Sequence, residues 1–371
     1  MKRVVILTGH FPEQKRKPSM LWVAQHLQDM GWHVTLATVG YSWLSRLTGD
    51  KRLAEPPQTG TRFRSETLTT IFGFSPIHPV STRVALLDAL SRPLHQLFPA
   101  YWGPLLQEPL ARAEVVLIES GAPVMLAPLA RRLAPRARLV YRVNDDMRLM
   151  KAPRFLMRAE IRAAEMVDRI STASPHLAQR FDPAKTTLDP MGIARDALAP
   201  PQANPYARNA GYDAVCAGTT LLDLGALIRI ASAAPQWRLH VLGPHGFACE
   251  TPANLLLHGE KSYAETLGYI AHADIGLAPY RDLPGVEYQT HNSNRIALYR
   301  HFGLPILGPD RLCHPSVPSI IGYSDPKWRF RCETRGPRPE LLRDWSDLAR
   351  RLVQNGETEP PLDVSIPPES A

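Results

Sequence analysis

Cysteine is scarce in this chain. Its 371 residues hold four, Cys216, Cys249, Cys313 and Cys332, all in the second half and none in a CxxC pair. So few cysteines over such a length exclude a disulfide scaffold, and a reducing cytoplasm is the expected compartment. Long hydrophobic runs are missing too. No stretch approaches the ~18 uncharged apolar residues that a bilayer span requires. The run Val4-Val5-Ile6-Leu7 behind Met1-Lys2-Arg3 is too short for a signal peptide. No GxGxxG follows the first strand-like segment, which disfavours the usual dinucleotide site. The adjacent pair Asp145-Asp146 is not a DxD metal motif, and no His/Cys cluster has ligand spacing, so no metal site is expected. No RNP, helix-turn-helix or zinc pattern supports a nucleic-acid partner. The 36 prolines are scattered without period, which excludes collagen and PxxP arrays.

What remains is a soluble globular composition, 44% hydrophobic and 21% charged. At roughly 100–200 residues per domain the length predicts two domains. The net charge of +8 is uneven: residues 1–190 hold 26 basic and 16 acidic residues, residues 191–371 hold 17 and 19. A basic first half fits nucleic acid, an anionic membrane surface or a phosphorylated substrate; a solvated basic face with no partner is the plainer reading.

Both halves alternate short β-branched runs with helical periodicity. In the first, Arg3–Thr8, His33–Val39, Glu114–Glu119, Arg138–Arg142 and Arg169–Thr172 read as strands. Pro18–Met30, Val124–Leu133 and Arg154–Val167 read as helices. The proline-rich stretch Pro200–Pro205 marks a linker. The pattern then restarts, with strands at Ala214–Ala217, Trp237–Gly243, Asn254–His258, Asp274–Pro279 and Leu304–Leu307 and helices at Leu222–Ala233, Tyr263–Ala273 and Asn292–Phe302. Buried strands alternating with helices predict two doubly wound parallel sheets, residues 1–200 and 201–371, facing a cleft. Ligands in such sheets bind beyond the carboxyl ends of the strands.

Several strand ends carry chemistry. His10 follows the first strand and is a general base, an acceptor-binding group or a packed loop histidine. Glu119-Ser120-Gly121 ends another, where a carboxylate binds a substrate hydroxyl or either side chain caps a helix. Arg142-Val143-Asn144-Asp145-Asp146 sets adjacent carboxylates after a buried strand, the arrangement of a general base tuned by its neighbours; an N-cap plus a surface acid is the alternative. Gly218-Thr219-Thr220 places small residues before a helix, where N-terminal amides suit a phosphate. Arg295 lies in the first turn of another helix. A cation there opposes the helix dipole, which a bound anion would explain; a solvated arginine is the alternative.

These segments carry a resemblance. Ala278-Pro279-Tyr280, a polar helix start and Phe302-Gly303-Leu304-Pro305 resemble the donor half of two-Rossmann, GT-B type glycosyltransferases. More narrowly, the chain resembles the xanthan-type glucuronosyltransferase family. The resembling segments are Ser45-Arg46-Leu47, Gly49-Asp50, Arg52-Leu53, Glu119-Ser120-Gly121, Leu139-Val140-Tyr141-Arg142 with Asp145, Asn204-Pro205-Tyr206-Ala207, Leu267-Gly268-Tyr269-Ile270 and Trp345-Ser346-Asp347. The resemblance implies an inverting enzyme without metal or other cofactor. It would move glucuronic acid from UDP-glucuronate to a polyprenyl-diphosphate-linked oligosaccharide in exopolysaccharide assembly. It implies a cytoplasmic protein, peripheral on the inner face of the membrane. Asp145 falls on the family's catalytic base and Tyr280 on its donor-site tyrosine.

The chain departs from the family pattern at Asn294, Arg295 and Leu298, which stand where the family has Met, Lys and Gln. It departs again at Thr220, in place of Met, and at Arg180, in place of Glu. The expected donor site is therefore Gly218, Thr219, Thr220, Tyr280, Asn294 and Arg295, with His10 and Glu119 on the acceptor side. Lys15, Arg16, Lys17, Arg46, Lys51, Arg52, Arg62 and Arg64, with Trp43, Leu44 and Phe72–Phe74, are the expected membrane contacts. The end of the chain is expected to cross back to the first domain. Rival readings are another UDP-sugar donor, a UDP-sugar epimerase on the same double fold, and a non-catalytic nucleotide-sugar-binding protein.

Overall fold

The computed structural model describes residues 1–12, 17–42, 45, 59–75, 79, 93, 95–200, 202–206, 211–243, 250–334, 336 and 338–354. Lys15, Arg16, Trp43, Leu44, Arg46, Lys51 and Arg52 lie outside them, as does the segment after Gln354.

The first sheet has eight strands in the order β3-β4-β2-β1-β5-β6-β7-β8. They are β1 (Arg3–Thr8), β2 (His33–Ser42), β3 (Gly60–Arg64), β4 (Leu68–Ser75), β5 (Val115–Glu119), β6 (Arg138–Val143), β7 (Arg169–Thr172) and β8 (Thr186–Leu188). All pairings are parallel except β3 with β4. Helices α1 (Ser19–Asp29), α2 (Phe98–Ala111), α3 (Ala127–Leu133) and α4 (Arg154–Met166) accompany it. Two buried clusters form, one around Val5, Leu7, Trp102 and Tyr141, the other around Val4, Ile6, Leu27 and Leu117. Neighbours along β1 thus fall into different clusters, as period-two alternation requires.

The second sheet has six strands in the order β11-β10-β9-β12-β13-β14, all parallel. They are β9 (Tyr212–Ala217), β10 (Trp237–Leu242), β11 (Leu255–Gly259), β12 (Ile275–Leu277), β13 (Ile306–Gly308) and β14 (Ile320–Gly322). With them run α5 (Leu224–Ala233), α6 (Tyr263–Ala271) and α7 (Asn294–Phe302). Gly276 lets α7 sit close, since a Cβ there would stand 2.5 Å from the Tyr299 ring. The Tyr299 hydroxyl in turn donates to the Val215 carbonyl at 2.8 Å and accepts from the Ala217 amide at 2.9 Å.

The two sheets make the protein a GT-B type α/β fold of two Rossmann-like domains. Helix α8 (Trp345–Val353) lies against α1. Trp345, Leu348, Ala349 and Leu352 share a buried cluster with Met20, Leu21 and Leu27. Arg138 and Arg169 donate to the carbonyls of Leu352 at 3.0 Å and Arg351 at 2.6 Å. These cations meet the negative end of the helix.

The strand order places the site. In the first sheet β1 has β2 on one side and β5 on the other, so the connections reverse between β1 and β5. In the second they reverse between β9 and β12. At each reversal the loops diverge and open a crevice at the carboxyl ends. Thr8 and Glu119 end β1 and β5; Ala217 and Leu277 end β9 and β12.

Candidate functional site

Asp145 sits two residues past β6, on the loop beside the first crevice. Its placement begins with Ser120. The Ser120 hydroxyl accepts the amides of Asn144 and Asp145, each at 3.3 Å. This corrects the expectation of a helix cap: the 3-10 turn Ala122–Leu126 has Gly121 at its N-cap and no side-chain bond. Glu119 is buried and accepts from Thr8 through one oxygen and from Asn144 Nδ2 at 2.8 Å through the other. It thus braces the Asp145 loop instead of standing open to a hydroxyl. The half-exposed His10 ring lies 3.6 Å from Glu119 Oε1.

Behind the loop, fully buried Arg142 donates to Ser171 Oγ and the Asp189 carbonyl, both at 2.9 Å, and to Asn144 Oδ1 at 3.1 Å. Burial pushes its pKa down to about 10. Asp146 does not pair with Asp145. It is buried and holds Arg148 at 3.1 Å and Arg180 at 3.2 Å. Arg180 also meets Glu160 at 2.9 Å, and Glu160 accepts from Tyr141 at 2.7 Å. The departure at Arg180 is therefore an internal strut between two carboxylates.

The carboxyl of Asp145 is raised above its ordinary value. Burial is the main cause, with Glu119 and Asp146 adding to it; Tyr288 and His10 act against it. Tyr288 comes from the second domain and escaped the sequence reading. Its hydroxyl donates to Asp145 Oδ1 at 3.0 Å. Asn292, four residues on, donates from Nδ2 to the carbonyl of Asn144 at 2.8 Å. The expected helix Asn292–Phe302 breaks here: Ser293 is extended, with ψ 119°, and caps α7 by accepting the Ile296 amide at 3.3 Å. The only sequence signal for Tyr288 is a large aromatic in a polar stretch, Glu287-Tyr288-Gln289-Thr290-His291-Asn292.

Arg295 lies on α7 at the second crevice and is only 6% exposed. Its guanidinium stands 4.5 Å from the centre of the Tyr280 ring, 3.6 Å from Cys216 Sγ and 3.4 Å from the Thr220 carbonyl. Among the described residues no carboxylate pairs with it. Burial works against its charge, but Tyr280, Cys216, Tyr299 and Tyr323 outweigh that and hold its pKa up. Gly218 turns the chain beside it with φ +99°, a conformation that favours glycine. The Tyr280 hydroxyl is engaged by Ser293 Oγ at 2.7 Å, so the tyrosine acts as a floor for the arginine.

Thr219 is half-buried, while Thr220 and Asn294 are exposed. The amides after Gly218 differ from expectation. The start of α5 is capped by Asp223, whose carboxylate accepts the Ala226 amide at 2.9 Å. That helix end already holds a negative charge, which leaves Arg295 and the start of α7 to meet an anion. Among the described residues no group of three His, Cys, Asp or Glu side chains is placed to hold a metal ion, and no helix is long and apolar enough to cross a membrane.

Residues 6–173 match the family described as glucuronosyltransferase GumK, N-terminal domain. The match spans most of the first domain. The chain is also 28% identical over 324 residues to the UDP-glucuronate:glycolipid 2-beta-glucuronosyltransferase of Xanthomonas campestris pv. campestris, covering 86% of this chain and 80% of that one. Among solved structures, the trehalose-6-phosphate phosphatase N-terminal domain of Candida albicans superposes with a TM-score of 0.52 at 12% identity, covering 83% and 82%. That last likeness is one of fold alone. By sequence the protein is a glycosyltransferase of the glucuronosyltransferase-like kind.

Proposed function

We propose that the protein is an inverting glycosyltransferase that moves glucuronic acid from UDP-glucuronate to a polyprenyl-diphosphate-linked oligosaccharide. One observation carries the reading: a carboxylate at the first crevice is matched by a buried arginine at the second that has no carboxylate partner among the described residues. The relative of known activity acts on a glycolipid with UDP-glucuronate, as its name states.

In this mechanism the acceptor hydroxyl gives its proton to Asp145 Oδ2 as its oxygen attacks the anomeric carbon. The bond from that carbon to the diphosphate oxygen breaks on the opposite face, so configuration inverts and UDP leaves. A raised carboxyl suits the base, because proton transfer is most effective when its pKa approaches the working pH. The charge growing on the diphosphate is met by Arg295 and the first amides of α7, fixed before the reaction begins.

The lipid-bound acceptor calls for a surface on the first domain, peripheral to an anionic membrane. Edge strand β3 offers Arg62-Phe63-Arg64, with Phe63 53% exposed. Each basic residue at such a surface contributes about 1 kcal/mol. Phe72, expected there, is buried against Phe11 instead, with ring centres 5.2 Å apart. Lys17 covers the Trp22 ring at 3.9 Å.

A donor screen tests the reading. Thermal shifts with UDP-glucuronate, UDP-glucose, UDP-galactose, UDP-GlcNAc and GDP-mannose should favour UDP-glucuronate, and sugar transfer to a lipid-linked acceptor should follow. Another UDP-sugar winning would move the donor assignment. Binding without turnover on any acceptor would point to a sugar-nucleotide-binding protein, and product formed without acceptor to an epimerase. Vesicles with anionic lipid should pellet the protein at low salt and release it at high salt.

A further inference from the structure

The segment from Gly285 to Asn292 belongs to the second domain in sequence, yet it packs into the first. Tyr288 is fully buried in the same cluster as Val143, Met147 and Leu156. Gly285, at φ +96°, passes close to Asp146; a Cβ there would lie 3.7 Å from its Oδ2. From this position the Tyr288 phenol donates to Asp145 Oδ1 at 3.0 Å. Asn292 fixes the backbone beneath, through the carbonyls of Asn144 at 2.8 Å and Val143 at 3.3 Å. Among the described residues, the first domain holds Asp145 by its amide, through Ser120. Among the described residues, the one hydrogen bond on the Asp145 carboxylate comes from the opposite domain.

We propose that Tyr288 is the positioning residue for Asp145: its phenol, carried by the donor domain, holds Oδ1 so that Oδ2 faces the acceptor hydroxyl, and the base is set only while the two domains are in contact. This rests on the reading of Asp145 as the base. The physical effect has a definite sign. A phenol donating to a carboxylate favours its charged form. Glu119 and Asp146 oppose that form, His10 supports it, and Tyr280 and Tyr141 lie within reach of its charge. Removing the hydroxyl leaves burial and two acidic neighbours opposed by His10 alone.

The test is Tyr288→Phe, which keeps the ring that fills the core. The acid limb of kcat/KM should move to higher pH, with about a tenfold loss below the limb, since a hydrogen bond to a charged group is of that strength. The donor KM should stay unchanged. A structural defect alone would lower activity equally at every pH, and an unmoved limb with unchanged KM would overturn the proposal. A second readout needs no activity. The Tm lost on Tyr288→Phe should be larger in the native chain than in an Asp145→Ala background at neutral pH. Equal losses would overturn the contact. If the native chain transfers no sugar but the two losses differ, the pairing stands and the assignment of Asp145 as base falls.

Discussion

The guanidinium of Arg295 lies 4.5 Å over the ring of Tyr280, whose hydroxyl is tied to Ser293 at the start of the same helix. An arginine buried to this degree normally has a carboxylate for company. Here its neighbours are an aromatic face, a thiol and a carbonyl, which hold the charge in place without neutralising it. An anion arriving at the crevice meets a cation already oriented. UDP at 100 times its dissociation constant should stabilise the native chain by about 2.7 kcal/mol. Arg295→Ala should lose most of that shift. Arg295→Lys keeps the charge but gives up the planar fork and the stacking, so it should recover only part of the affinity. Full UDP stabilisation of the Arg295→Ala protein would remove this residue from the donor site.

Asp145→Asn separates chemistry from folding. If Asp145 is the base, turnover should fall by about 10²–10⁴-fold, the usual contribution of general base catalysis, with UDP binding retained. Stability should move the other way. The folded carboxyl is raised above its unfolded value, so the folded state keeps its proton to higher pH. The native chain therefore loses stability as pH rises from about 3.8, the ordinary value, through the raised folded value. The asparagine variant has no such loss. Its Tm should exceed the native one at neutral pH, and the difference should shrink as the pH is lowered through that window. Thermal scans across pH read this directly.

Asp145 was legible in the sequence because its signal is local: a buried strand, a turn and adjacent acids. Tyr288 was not, because its role is set by a loop 143 residues away on the other domain. Strands β1, β5 and β6 declared themselves through runs of Val, Ile and Leu. Strand β4 did not, since Leu68-Thr69-Thr70-Ile71 mixes hydroxyls into a buried element, and β3 pairs with it while lying almost wholly exposed. Helix α2 hid for another reason. Phe98, Trp102, Leu106 and Leu110 repeat every four residues and are all buried, but Pro104 and Pro109 sit inside the helix, where proline is disfavoured. Arg180 read only as a departure from the family's Glu, and the fold alone shows the carboxylates it joins.

Asp189 supports the floor of the Asp145 loop. It is 1% exposed and accepts from Arg169 at 2.7 Å, Ser171 at 2.6 Å and Thr187 at 2.8 Å, while its carbonyl receives Arg142. Burial alone would raise its carboxyl, but Arg169, Ser171, Arg142 and Thr187 outweigh it and hold the pKa below the ordinary value. The stability this supplies is present above about pH 3.8 and is lost as pH falls through the lower folded value. Asp189→Asn removes the charge that faces half-buried Arg169 and lies near buried Arg142, and should cost about 3–5 kcal/mol at neutral pH. Urea titration should show that penalty narrowing in acid. A pH-independent penalty would mean that shape, not charge, is what Asp189 provides.

Trp345 ties the end of the chain to its beginning. It is 2% exposed and shares a cluster with residues of α1, while its backbone lies so close to Gly192 that a Cβ there would stand 2.6 Å from the Trp345 amide. Asp344 caps the same helix by accepting the Ser346 amide at 2.8 Å, and the Trp345 amide donates to the Ile193 carbonyl at 3.3 Å. The helix therefore covers an apolar face of the first domain and holds the segment that follows β8. Trp345→Ala should destabilise the protein by about 3–5 kcal/mol, the usual cost of emptying an aromatic site in a core. Gly192→Ala should also destabilise, by about 1–3 kcal/mol, because backbone cannot give way as a side chain can. The two residues touch, so their costs should not add. A double variant that loses less than the sum of the singles identifies one contact. Strict additivity would show that each residue acts on a different part of the fold.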